Sequence, residues 1–129
     1  MFRVLAPLAL AWSAAAPAAE ISTHVLDLAR GVGGRDVPVT LLRREANGGW
    51  TEVARARTDA DGRVRAFAAG ASFPPAVYKL HFDLAAYPAA GAAPFFPEID
   101  LIFRASDPAA HYHVPVSLSP FGYSTYRGN

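Results

Sequence analysis

The sequence predicts an all-β fold, a sandwich of two sheets built from about eight short strands. Apolar and polar residues alternate with a period of two in its clearest segments, as expected of strands with one buried face. Clusters of Gly, Asn, Asp and Pro separate these segments at short intervals and mark turns. A single short helix is plausible around residues 84–90, although Pro88 weakens that prediction.

Residues 77–84 and 98–104 show the alternation most clearly. In both segments every second side chain is large and apolar, which predicts a buried face. These inward residues are Tyr78, Leu80, Phe82 and Leu84 in the first segment and Ile99, Leu101 and Phe103 in the second. The remaining strands are predicted at 21–28, 37–44, 50–57, 63–68, 111–119 and 122–127.

The N-terminal segment predicts an exported protein. One basic residue, a short apolar stretch and the sequence Ala16-Pro17-Ala18 are typical of a secretory signal peptide over residues 1–19. The apolar stretch is short for a membrane span. We therefore expect residues 20–129 to form one mature domain that is periplasmic or secreted and is not held in the membrane.

The composition disfavours several partners. The chain has 12 Lys and Arg against 11 Asp and Glu, with no basic run, so nucleic acid and anionic membranes are poor candidates. It has no Cys, which excludes a disulfide framework and thiolate metal sites.

Residues 111–119 alternate between an apolar face, predicted to pack into the core, and a polar face. The apolar face consists of Tyr112, Val114, Val116 and Leu118, and the opposite face of His113, Pro115, Ser117 and Ser119. Such a polar face suits a pocket floor or a subunit contact. His24 lies on the first predicted strand with two polar residues before it, whereas His81, between Lys79 and Asp83, is predicted to be a solvated surface residue.

Other polar groups leave alternatives open. The turn before Arg63 is either an ordinary hairpin or a device that directs a guanidinium into a site. His111 and His113 share a strand face and could chelate zinc with His24, but no further ligand follows at a diagnostic spacing. A serine nucleophile is disfavoured because no Gly-x-Ser-x-Gly elbow is present.

Several motifs in order along the chain resemble the 5-hydroxyisourate hydrolases, the transthyretin-like proteins of purine catabolism. The motifs are Ser22-Thr-His-Val-Leu-Asp27, Thr58-Asp-Ala-Asp-Gly-Arg63, Tyr78-Lys-Leu80, Phe95-Phe-Pro-Glu-Ile99, His111-Tyr-His-Val-Pro-Val-Ser-Leu-Ser119 and Tyr126-Arg-Gly128. The resemblance implies a transthyretin-like sandwich with one short helix and hydrolysis of 5-hydroxyisourate without metal or organic cofactor. It also implies a homotetramer, a dimer of dimers with its sites in the cleft between the dimers.

By motif, the resemblance assigns catalysis to His24, Arg63 and His113. It assigns substrate binding to the tail and the strand before it, through Ser119, Tyr126, Arg127 and Gly128. One departure concerns the last residue, because the family usually has Ser after Tyr-Arg-Gly where this chain has Asn129.

Three alternatives to this enzyme are a transthyretin-like protein that binds a small ligand without turnover, a zinc hydrolase, and a β-sandwich adhesion module with incidental histidines. A ligand carrier would have no evident use for the His and Arg residues or for the Tyr-Arg tail.

Overall fold

The computed structural model describes residues 19–68, 70–88 and 93–129. Within these ranges it contains ten β-strands and no helix, and hence no helix that could cross a membrane. The strands are β1 (Glu20–Asp27), β2 (Val32–Gly33), β3 (Pro38–Arg44), β4 (Trp50–Arg57), β5 (Arg63–Val64), β6 (Ala76–Asp83), β7 (Glu98–Ala105), β8 (His111–His113), β9 (Val116–Ser119) and β10 (Gly122–Thr125).

The strands form two sheets, which confirms the predicted sandwich. One sheet has four antiparallel strands in the order β4-β3-β6-β7. The other has six strands, with the order β10-β9-β1-β2 and with β5 and β8 also paired to β1. β1 is therefore the central strand of the second sheet, antiparallel to β2 and β5 and parallel to β8 and β9.

The core lies between the two sheets and follows the predicted alternation. Tyr78, Leu80 and Phe82 of β6 are fully buried, and Ile99 and Leu101 of β7 face the same interior. The second sheet contributes its own inward side chains, Val25, Tyr112, Val114, Val116 and Leu118. Burial of these apolar surfaces from both sheets is the main force that holds the sandwich together.

The predicted helix around 84–90 is a turn where the structure describes it. The backbone N–H of Tyr87 donates to the carbonyl of Leu84 at 3.0 Å, and no further turn of helix follows through Pro88. Pro88 has no N–H to continue a helical ladder, and the residue before a proline avoids helical geometry. Residues 89 and 90 of that prediction, like residues 1–18 of the predicted signal peptide, lie outside the described ranges.

Three strand predictions differ from the structure in extent. The strand predicted at 63–68 is only Arg63–Val64, because the chain leaves the sheet and buries Phe67 in the core. The strand predicted at 111–119 is divided into β8 and β9 on either side of Pro115, which has no N–H for a ladder. The strand predicted at 122–127 ends at Thr125.

Candidate active site

β1 positions the candidate site because its outward residues have neighbours on both sides. In the parallel ladder with β8, Ser22 is paired with His113. In the antiparallel ladder with β5, His24 is paired with Arg63. Since alternate residues of a strand share a face, Ser22 and His24 bring His113 and Arg63 to the same side of the sheet.

The turn before β5 fixes where Arg63 begins. The Asp59 carboxylate accepts hydrogen bonds at 2.9 Å from the backbone N–H groups of Asp61 and Arg63. The N–H of Arg63 is the main cause that lowers the pKa of Asp59, and it outweighs the opposing effect of burial. The turn is not a hairpin, because β4 lies in the four-stranded sheet and β5 pairs with β1 in the other sheet. It links the two sheets and directs Arg63 into the site.

Gly62 is required at this turn for two reasons. Its φ of 81° lies in the left-handed region, and a Cβ there would lie 2.4 Å from the carbonyl oxygen of Val25. The turn can therefore lie directly against β1, which a residue with a side chain would prevent.

A pocket of about 200 Å³ opens beside these strands. Its wall combines two arginines, two histidines and two hydroxyl side chains, which suits a small, flat, polar and anionic ligand. The lining residues are Ser22, Thr23, Arg63, Val64, Arg65, His111, His113 and Asn129.

His113 is half-buried in this pocket and is held by one ring nitrogen. Its Nδ1 lies 2.8 Å from the Ser22 hydroxyl. Burial lowers the pKa of His113 most, and the neighbouring Arg63, His111 and His24 lower it further. This direction favours the neutral ring, which is the form that a general base needs.

His24 lies in a groove next to the pocket, and Arg63 lines both. The Nε2–H of His24 donates to the carbonyl oxygen of Asp61 at 2.8 Å. In the neutral ring this leaves Nδ1 as the unprotonated nitrogen, which can accept a proton. His24, Arg63 and His113 are thus brought together as predicted, but they occupy two connected depressions rather than one.

The tail reaches the pocket through its last two residues. The backbone N–H of Gly128 donates to the carbonyl oxygen of His113 at 2.7 Å, and Asn129 lines the pocket. A Cβ at Gly128 would lie 2.6 Å from Cδ2 of His113, so only glycine allows this approach.

The other predicted binding residues lie elsewhere in the single chain. Tyr126 and Arg127 line a groove along β7, where the Arg127 guanidinium lies 4.6 Å from the centre of the Tyr112 ring. The Ser119 hydroxyl donates to the carbonyl of Gly122 at 3.0 Å, and both residues line a separate depression. Substrate binding by Ser119, Tyr126 and Arg127 stays a prediction.

No cluster of three or more potential metal ligands occurs in the part of the chain that the structure describes. His111 and His113 do share a strand face as predicted, but both turn a nitrogen toward Ser22, at 2.7 and 2.8 Å. His81 on the other sheet is a surface residue that contacts Asp100 at 2.6 Å.

Comparison with known proteins gives the family. Residues 21–128 match the model of the HIUase/Transthyretin family. The chain belongs to this family. It is 37% identical to the 5-hydroxyisourate hydrolase of Salmonella typhi over 137 aligned positions that cover 100% of both chains.

Two solved structures of the same family have the same fold. The Klebsiella pneumoniae 5-hydroxyisourate hydrolase matches with a TM-score of 0.74 and 32% identity, covering 86% of this chain and 99% of that one. Transthyretin from Sparus aurata matches with a TM-score of 0.77 and 32% identity, covering 84% and 96%. Because both an enzyme and a transthyretin share the fold, the polar site must distinguish between them.

Sequence reasoning missed Ser22 as a site residue and left His111 only as a possible zinc ligand. One signal was present, since Ser22 and His24 are spaced two apart, as are His111 and His113. Ser22 and His113 are 91 positions apart in the sequence and meet only because β1 pairs in parallel with β8. Nothing local to either segment indicated this pairing.

Proposed function

We propose that this protein hydrolyses 5-hydroxyisourate to 2-oxo-4-hydroxy-4-carboxy-5-ureidoimidazoline in urate degradation. The observation that supports this most is the neutral, Ser22-held imidazole of His113 next to Arg63, in a chain that aligns over its full length with a 5-hydroxyisourate hydrolase. The protein is a hydrolase that opens a cyclic amide.

The reaction requires three tasks from the site. A base removes a proton from water as the water oxygen attacks the ring carbonyl carbon, a donor stabilises the oxyanion, and an acid protonates the nitrogen when the C–N bond breaks. Water therefore supplies the hydroxyl of the new carboxyl group and the proton of the released N–H. His113 and His24 are assigned to proton transfer and water activation. Whichever ring takes the proton from water becomes an imidazolium, and that imidazolium returns the proton to the leaving nitrogen.

Arg63 is assigned to the oxyanion and to substrate binding. Its guanidinium is permanently charged and planar, so it can donate paired hydrogen bonds to the oxo groups of a flat anionic heterocycle. Its position between the pocket of His113 and the groove of His24 supports this assignment. Ser119, Tyr126, Arg127 and Gly128 are proposed to contact the substrate, Gly128 through its approach to His113.

The activity is tested by following the ultraviolet absorbance of freshly generated 5-hydroxyisourate with and without the protein. We expect clear acceleration over spontaneous decay, unchanged after thorough treatment with EDTA because the mechanism uses no metal. Decay at the spontaneous rate would contradict the function and would favour a transthyretin-like binding protein. Loss of activity on chelation would instead indicate a zinc hydrolase.

The catalytic assignment is tested by substitution in the same assay. His113→Ala and Arg63→Ala are each expected to lower kcat/KM by about 100-fold or more, the usual effect of removing a general base or an oxyanion donor. His81→Ala, which removes a histidine on the other sheet, is the matched control and should leave the rate unchanged. Wild-type rates in either site variant would refute the assignment.

A homotetramer, a dimer of dimers, is part of this proposal. Large apolar side chains that one chain leaves exposed support it, among them Leu28 at 62%, Val32 at 50% and Phe121 at 79%. Leu28 and Val32 line the groove of His24, so an interface there would border the site.

We further propose that residues 1–19 are removed on export and that the mature protein is periplasmic or secreted. The proposal depends on the sequence pattern alone. Intact-mass measurement of protein recovered from the periplasm or medium tests it, because cleavage after Ala18 or Ala19 predicts a defined loss. Full-length protein confined to the cytoplasm would contradict it.

A further inference from the structure

Four polar side chains lie in a row at the edge of the pocket. The Glu20 carboxylate is 3.2 Å from Nδ1 of His111, Nε2 of His111 is 2.7 Å from the Ser22 hydroxyl, and that hydroxyl is 2.8 Å from Nδ1 of His113. The parallel pairing of β1 with β8 produces the row, since it places Glu20 beside His111 and Ser22 beside His113.

Counting hydrogens gives the row a direction. A carboxylate only accepts, so Nδ1 of His111 carries a proton, and in the neutral form of that ring Nε2 is an acceptor. A hydroxyl has one hydrogen, and Ser22 must donate it to Nε2 of His111. The Ser22 oxygen then accepts from Nδ1–H of His113.

We propose that Glu20, His111 and Ser22 are positioning residues that hold His113 in the tautomer whose Nε2 is unprotonated. In the described residues Nε2 of His113 has no hydrogen-bond partner, which leaves its lone pair free for the water that attacks the substrate. The inference rests on the proposed role of His113 as a base and extends it to residues that do not touch the substrate.

The same row has the carboxylate, imidazole and hydroxyl order of a serine hydrolase. Two features favour a positioning role for Ser22 over a nucleophilic one. Ser22 is only 5% exposed, and its oxygen is enclosed between two imidazoles, 2.7 Å from Nε2 of His111 and 2.8 Å from Nδ1 of His113. A covalent Ser22 adduct would therefore count against the proposal.

The electrostatic surroundings of His113 support a neutral ring. The groups that face it are Arg63 and Arg65 at and after β5, His24 on β1 and His111 on β8. Because burial and three of these neighbours lower the pKa of His113, its chemistry depends on which nitrogen holds the one proton of the neutral ring. Glu20 and His111 are substantially exposed, at 70% and 48%, so water can partly replace them and Ser22 should matter most.

The test uses the purified protein in its own oligomeric state. Its histidines are labelled with ¹⁵N, and long-range ¹H–¹⁵N spectra show which ring nitrogen carries the proton. In the wild type, Nδ1 of His113 should be protonated and Nε2 unprotonated. In His111→Phe, the Ser22 hydroxyl loses its acceptor and should donate to Nδ1 of His113, which reverses the tautomer. His111→Gln, whose side-chain oxygen can accept from Ser22, should restore it.

Kinetics provide the second measurement. Ser22→Ala and His111→Phe are expected to lower kcat by about 10- to 100-fold with KM changed by less than about twofold, the range seen when an orienting partner is lost. His81→Phe removes a histidine that contacts a carboxylate on the other sheet and should change neither the His113 spectrum nor kcat.

Three results would overturn the proposal: a protonated Nε2 of His113 in the wild type, an unchanged tautomer in His111→Phe, or labelling of Ser22 by a fluorophosphonate. The spectra need no turnover, so they test the proton assignment even if 5-hydroxyisourate is not hydrolysed. A lack of hydrolysis in the wild type would count against the proposed function alone.

Discussion

At the scale of single residues, the site depends on charges placed close to His113. Arg63 is near enough to lower the pKa of that imidazole, although burial is the larger cause. The guanidinium that we propose to bind the substrate thus also favours the neutral form of the proposed base. Substrate binding and base strength are coupled through one side chain.

Arg63→Gln should therefore raise the pKa of His113 toward its ordinary value without restoring it fully, because burial remains. The sign follows from removal of a positive charge, which makes the imidazolium less unfavourable. Titration of the His113 ring by NMR measures this directly and does not depend on activity. Arg57→Gln, which removes an exposed arginine paired with Asp36 on the other sheet, is the control. Equal His113 pKa values in both variants would contradict the coupling.

The motifs could identify His24, Arg63 and His113 as candidate site residues, whereas they did not identify Ser22 and Glu20. The motifs identify residue types in sequence order, but a hydroxyl between two imidazoles exists only once β1 and β8 pair. The row of hydrogen bonds therefore depends on the register in which β1 pairs with β8, and no local sequence pattern encodes it.

At the scale of elements, the turn that links β4 to β5 determines the position of the Arg63 guanidinium. Gly62 and Gly48 both have φ near 80°, but only Gly62 lies against another strand. Substitution of Gly48 would therefore cost backbone strain alone, whereas substitution of Gly62 would cost backbone strain and a steric clash.

Gly62→Ala is expected to cost several kcal/mol of unfolding free energy, and Gly48→Ala only about 1 kcal/mol, since strain alone costs about 1–3 kcal/mol. The difference is the cost of pushing the turn away from Val25, Gly33 and Gly34, which a Cβ on Gly62 would contact within 3 Å. Urea denaturation measures both changes. If the two variants lose the same stability, the turn does not need its close approach to β1.

Strand positions could be predicted well where alternation and burial agree, as in β6 and β7. They could not be predicted where tertiary contacts override the pattern. Phe67 draws the chain off β5 into the core, and Pro115 divides β8 from β9 while staying buried itself. The two-residue strand β2 lies among glycines that predict only a turn.

At the scale of the whole molecule, the single chain exposes apolar surface beside its site. Leu28 and Val32 form a rim of the groove that contains His24. In the proposed tetramer such a rim would be covered by another subunit, which would exclude water from the site.

Leu28→Glu should dissociate the tetramer to dimers, because burial of a carboxylate in an apolar contact is unfavourable. Sedimentation velocity gives the mass, and the hydrolysis assay should show a loss of activity in parallel. Thr51→Glu, an exposed substitution on β4, should keep the wild-type mass. A wild-type protein that sediments as a monomer would rule out the tetramer, and an intact tetramer in Leu28→Glu would move the interface elsewhere.

The position of β1 between early and late strands has a consequence for biosynthesis. Ser22 and His24 emerge from the ribosome long before His111 and His113, and the pocket of His113 requires strands from both ends of the chain. A chain interrupted anywhere before β8 lacks this pocket, however well its other sheet has formed. Enzymatic turnover is therefore expected only from chains that have finished folding. Damage that detaches β1 from β8 would abolish the pocket and with it the activity.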